Sequence, residues 1–117
     1  MRFRGTTVTF YRRSDDSLVG YRAEGHTGYA EAGYDIVCAG VSALTQSTLN
    51  GLQNILKAPV KSDIDERTAS LEAELAPEAT EEQVERAQLL LQTLLQGIQA
   101  IERSYPRNVR IFFEERR

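Results

Sequence analysis

Cysteine is almost absent from this chain: Cys38 is the only one in 117 residues. A single thiol cannot close an internal disulfide, so a reducing compartment, the cytoplasm, is expected. Histidine is equally scarce, with His26 alone. One histidine and one cysteine cannot fill a tetrahedral zinc shell without carboxylates, so no metal is expected, and nothing calls for another cofactor. Long hydrophobic runs are missing. No stretch approaches the roughly 20 apolar residues of a membrane span. Met1-Arg2-Phe3-Arg4 is too polar to open a signal peptide, and no membrane partner is expected. Repeats, low-complexity tracts and linkers are missing too, which leaves one domain over residues 1–117, large enough to bury a core without staples. An excess of positive charge is also lacking: a net charge of -3 argues against nucleic acid as the main ligand. The arginines are nonetheless clustered. Arg2, Arg4, Arg12, Arg13 and Arg22 crowd the beginning and Arg107, Arg110, Arg116 and Arg117 the end, while acidic residues gather between Asp63 and Glu85. The clusters read as a basic face for RNA or as solvated strand edges.

What is present alternates between strand and helix patterns. Phe3 to Arg12 is rich in β-formers, Arg13-Ser14-Asp15-Asp16-Ser17 is a polar turn, and Leu18 to Glu24 is a second strand, so the chain opens with a hairpin. A glycine-rich loop, Gly25 to Tyr34, follows. Asp35 is a candidate N-cap for a helix reaching about Lys57, with Val37, Val41, Leu44, Thr48, Leu52 and Ile55 at steps of three or four. No charge falls between Asp35 and Lys57, so this helix is expected to be covered on more than one side. Ala69, Leu71, Ala73 and Leu75 alternate with polar residues as a half-exposed strand. Thr80-Glu81-Glu82-Gln83 is a capping box for a second helix, whose stripe is Val84, Ala87, Leu91, Leu94, Ile98 and Ile101, widened by Leu90 and Leu95. Pro106 closes it, and Val109, Ile111 and Phe113 mark a last strand. The expected fold is α+β, in the order ββαβαβ, with two βαβ crossovers and a mixed sheet packed with two helices. No charge falls between Arg86 and Glu102 either, and two such uncharged helical stretches in a small domain suggest a homodimer that covers one of them.

The scarce residues are close together. His26 and Cys38 stand twelve positions apart, joined by a loop containing Gly28 and Gly33. Counted from Asp35 as N-cap, Cys38 falls in the first helical turn, where free N–H groups and the helix dipole favour a thiolate and can hold an oxyanion. Ser42 lies one turn further on the same face. Gly25, Gly28 and Gly33 let the loop bend or move. Together they read as a nucleophile and a general base on either side of a mobile loop. Each also has a plainer reading. An isolated cysteine in an apolar helix is a small buried hydrophobe. A loop histidine can simply be solvated, Asp35 can be only a cap, Ser42 only a packing residue, and the glycines only turns. As a phosphate cradle the loop lacks the following lysine.

Gly25-His26-Thr27-Gly28-Tyr29-Ala30-Glu31, then Gly33, Asp35-Ile36-Val37-Cys38-Ala39 and Val41-Ser42-Ala43-Leu44, resembles the signature of the ribosomal-processing cysteine protease family, Prp. The resemblance covers about twenty consecutive positions, and the rest of the chain fits the family in length and element order. It implies a small cytoplasmic, homodimeric endopeptidase that removes an N-terminal extension from a large-subunit ribosomal protein. By position it implies Cys38 as nucleophile and His26 as its base, with Gly25 as a hinge and Asp35 and Ser42 as the motif's aspartate and serine. Thr27 and Gly40 stand where alanine is common in the family, and Ala32-Gly33-Tyr34 is a variable stretch that bears on substrate fit. Family substrates carry an aromatic pair before the cut, which points to an apolar pocket near Tyr29 or Tyr34. The competing reading is a non-catalytic, dimeric, ribosome-associated module that binds a peptide or RNA, with Cys38 as packing. Redox sensing by Cys38 lacks a second thiol within the subunit.

Overall fold

The computed structural model describes residues 3, 5–25 and 34–116, the side chains of Tyr34 and Asp35 excepted. Strands β1 (Thr6–Arg12) and β2 (Leu18–Glu24) form the expected hairpin. Helix α1 covers Tyr34–Asn50 and runs into a π-helical turn, Gly51–Ile55. Strands β3 (Val60–Asp65) and β4 (Ser70–Leu75) make a second hairpin. Helix α2 (Glu81–Ser104) and strand β5 (Val109–Glu115) complete the chain. The five strands form one mixed sheet in the order β3-β4-β2-β1-β5, with only β1 and β5 paired in parallel.

A mixed sheet with two helices is the expected class, but the chain has one strand more than the ββαβαβ order. β3 escapes sequence reading because Lys61, Ser62, Asp63 and Asp65 leave little β signal. It is a sheet edge, mostly exposed, where charge discourages pairing with other chains. The extra strand also corrects the first crossover: β4 runs antiparallel to β2, and the strand parallel to β2 is β3, one place beyond.

Tyr21 donates a hydrogen bond of 2.6 Å to the Thr45 carbonyl of α1, which marks its side of the sheet as the helix side. By register, Phe10 and Ala73 share that side. The core lies between it and the helices, with Phe10, Tyr21, Leu52, Leu91 and Ile98 fully buried. α2 starts as expected, with Thr80 and Gln83 closing a reciprocal capping box. Its stripe Val84, Ala87, Leu91, Leu94 and Ile98 is buried. The two helices interlock at glycines: a methyl group on Gly97 would stand 3.1 Å from Leu44, and one on Gly51 3.1 Å from Leu90. α1 is therefore covered by the sheet and by α2, while Ala39, Ala43, Gln46 and Ser47 keep its outer face exposed and uncharged. Ile55, expected on the buried stripe, is 82% exposed. The Leu56 N–H bonds to the Gly51 carbonyl, and this wider turn shifts the helical phase so that Ile55 turns outward.

The opposite side of the sheet carries charge. Tyr11 is fully buried there, donating to Glu72 and accepting 2.8 Å from Arg22, with the Arg116 guanidinium 3.9 Å over its ring. Arg22 pairs with Glu24 and Glu114, Arg116 with Glu74 and Glu114, and Arg13 with Glu81. These arginines of the basic clusters are thus matched by carboxylates from β2, β4, β5 and α2.

Candidate active site

The site is built where the helix side of the sheet meets the first half of α1. β1 contributes Thr6, its first residue; β2 contributes Ala23, Glu24 and then Gly25; α1 contributes Cys38, Val41 and Ser42. The β3–β4 hairpin forms the far wall with Ile64, Asp65 and Leu71. These residues enclose a pocket of about 150 Å³. The Gly25 N–H donates 3.2 Å to the Ala69 carbonyl, tying the end of β2 to the β3–β4 turn.

Cys38 and Ser42, four residues apart on α1, line the pocket together, as their spacing predicts. Cys38 is half-buried and Ser42 exposed. Gly25 lines the pocket as well. His26, Gly28, Tyr29 and Gly33 lie outside the described residues. Asp35 is not the N-cap: helical residues begin one position earlier, at Tyr34, so Asp35 stands within the first turn. The same shift moves Cys38 to the fifth helical position. The first four N–H groups of a helix are the free ones, so the amide of Cys38 belongs to the internal ladder.

Thr6 and Ile64 are among the lining residues that sequence reasoning missed. Thr6 Oγ1 lies 3.9 Å from Cys38 Sγ, and Thr6 is only 3% exposed. The available signal was its place in the alternation with Val8 and Phe10, a hydroxyl where the helix side asks for an apolar residue. Ile64 is 57% exposed on a strand that is polar from Lys61 to Asp63, and it lines the pocket. The lining thus combines a thiol, hydroxyls, an apolar patch of Val41, Leu71 and Ile64, and the acidic residues Asp65 and Glu66. Among the described residues, no three histidine, cysteine or acidic side chains are grouped to hold a metal ion. No helix of these residues is long and apolar enough to cross a membrane.

A thiol beside hydroxyls in a pocket suits nucleophilic attack on a carbonyl. The family model for cysteine protease Prp matches residues 6–110, which is most of the chain. The chain belongs to the Prp family. As a Prp, it is a cysteine protease, a hydrolase of peptide bonds. It is 30% identical over 104 residues to the ribosomal processing cysteine protease Prp of Bacillus subtilis, covering 89% of this chain and 93% of that protein. The crystal structure of Prp from Staphylococcus aureus in complex with a substrate peptide matches with a TM-score of 0.81 at 26% identity, covering 93% of this chain and 99% of that one. A second structure of that protease, with a covalently linked product peptide, matches with a TM-score of 0.76 at 28% identity over the same shares.

Proposed function

We propose that this Prp removes an N-terminal extension from a large-subunit ribosomal protein, with Cys38 as nucleophile and His26 as general base. One observation carries the assignment of the nucleophile. A cysteine protease needs a thiol, this chain has one, and that thiol lines a pocket instead of filling the core. The relatives named for ribosomal processing, and the S. aureus protease bound to a substrate peptide, support the choice of substrate. The whole of residues 1–117 acts as one peptidase domain, working as a cytoplasmic homodimer, without cofactor or nucleic-acid ligand.

In this reading His26 takes the proton from Cys38 Sγ, and the thiolate attacks the scissile carbonyl carbon. The Ser42 hydroxyl, one turn along α1, donates to the developing oxyanion. His26 returns the proton to the leaving amine, and the C–N bond breaks to leave a thioester on Cys38. Water, deprotonated by His26, attacks the thioester; the acid product leaves and Cys38 is restored. Gly25, the hinge of the loop, and Asp35, in the first turn of α1, support the pair. Val41, Leu71 and Ile64 take an apolar side chain of the substrate.

The test is cleavage of the extended N-terminal peptide of the source organism's ribosomal protein, read by mass spectrometry. The expected result is a single cut, lost in Cys38→Ala and slowed by about 10³-fold or more in His26→Ala. Cleavage by Cys38→Ala at the wild-type rate overturns the assignment. A peptide that binds but is never cut turns the chain into a binding module.

A further inference from the structure

We propose that Thr6 is a positioning residue for the thiolate: its hydroxyl donates to Cys38 Sγ and holds the sulfur toward the pocket. The inference rests on Cys38 being the nucleophile and adds a residue from a different element, at the far end of the sequence from the motif.

Thr6 opens β1 on its helix side, in step with Val8 and Phe10. Its backbone is pinned there, because its N–H donates 2.8 Å to the Asn108 carbonyl and its Cα pairs with Val109 of β5. Gly5, just before it, lies so close to Asn108 that a methyl group would stand 2.4 Å from that carbonyl oxygen. The start of β1 is thus clamped against the start of β5, and the Thr6 side chain has one direction to take, toward α1. A hydroxyl that is 3% exposed needs a partner. Among the described residues, Cys38 Sγ, at 3.9 Å, is its side-chain partner. Between a neutral thiol and a hydroxyl this contact is long and weak. Once the proton has left the sulfur, the bond is charge-assisted, and such bonds are shorter and stronger. The contact therefore gains most in the reactive state, which is what a group that prepares a nucleophile must do.

The described charged residues that line the pocket are Glu24 from β2, Asp65 from β3 and Glu66 from the β3–β4 turn, but the Glu24 carboxylate lies on the opposite side of the sheet, paired with Arg22 at 2.9 Å. The two acidic residues of the β3–β4 hairpin oppose negative charge on the sulfur. The described part of α1 brings no charged side chain. His26, outside the described residues, is the proposed acceptor of the thiol proton. A hydroxyl donor is then a needed source of favourable dipole on the β1 side of the sulfur.

Because Cys38 is the only cysteine, alkylation by iodoacetamide across pH 5 to 9 reads this thiol alone. Thr6→Val keeps the shape and removes the hydroxyl; Thr6→Ser keeps the hydroxyl. In Thr6→Val, alkylation at neutral pH is expected to slow about tenfold, with the rate profile moved to higher pH, the size of one charge-assisted hydrogen bond. Peptide kcat should fall by a similar factor with KM within about twofold. Thr6→Ser should recover most of both. An alkylation profile in Thr6→Val that coincides with the wild type overturns the proposal, as does a folded Thr6→Ser that behaves like Thr6→Val. Failure of the parent reading looks different: Cys38→Ala would keep its cleavage activity, whatever Thr6 does to alkylation.

Discussion

Gly20→Ala tests the packing that holds the site's far wall. Gly20 sits in the middle of β2, on the charged side of the sheet, paired with Tyr11 of β1 and Glu74 of β4. A methyl group built there would stand 2.6 Å from the Ala73 carbonyl oxygen, 2.8 Å from Glu74 Cα and 2.9 Å from Tyr11 Cδ2. Two of the three are backbone atoms, which cannot turn aside. Carbon contacts settle near 3.5 to 4.0 Å, so β4 or the Tyr11 ring must give by several tenths of an ångström. Overpacking of this kind costs about 1–3 kcal/mol. The lower entropy of an unfolded alanine returns roughly 0.4–1 kcal/mol at compatible sites. The net loss is about 1–2 kcal/mol. A chain of this size loses about 0.25 kcal/mol per kelvin near Tm, so Tm should fall by about 4–8 °C. β4 also carries Leu71 and leads from Ala69, whose carbonyl holds Gly25, so kcat/KM should fall with it while the Cys38 thiol remains reactive. Thermal unfolding followed by circular dichroism, beside peptide cleavage, measures both. A Gly20→Ala protein with the wild-type Tm would refute the close approach of β2 to β4.

Burial holds the Tyr21 hydroxyl neutral to well above the ordinary value near 10, and burial with the Glu72 carboxylate does the same for Tyr11. The folded pKa lies above the unfolded one, so this stability is full below about pH 10 and is lost as pH rises beyond it. Urea unfolding at pH 8, 10 and 11 should show a steep alkaline decline that is shallower in Tyr21→Phe; parallel declines would contradict the burial argument. Ile64→Ala should leave Tm within about 1 °C, because the side chain is largely exposed, yet lower kcat/KM for peptides with an apolar residue before the cut by about fivefold. Equal loss for a peptide with a polar residue there would remove Ile64 from substrate recognition.

Local rules determined much of this protein from its sequence alone. The capping box placed the start of α2, because Thr80 and Gln83 satisfy one another within four residues. The stripe from Val84 to Ile98 specified the buried face of α2, β-forming composition around a polar turn specified β1 and β2, and alternation specified β4 and β5. The spacing of Cys38 and Ser42 put both on one face of α1, and the motif around them pointed to the family that the match over residues 6–110 shows. Tertiary structure decided what depends on partners distant in the chain. β3 exists because β4 offers it an edge, although its own residues carry little preference for a strand. Ile55 turns outward because the chain leaves α1 through a π-helical turn. The need for glycine at position 20 comes from the carbonyl of Ala73, and the environment of Cys38 from a hydroxyl thirty-two residues earlier. Periodicity reports which face of an element is buried; which atoms it meets there is settled only when the elements pack.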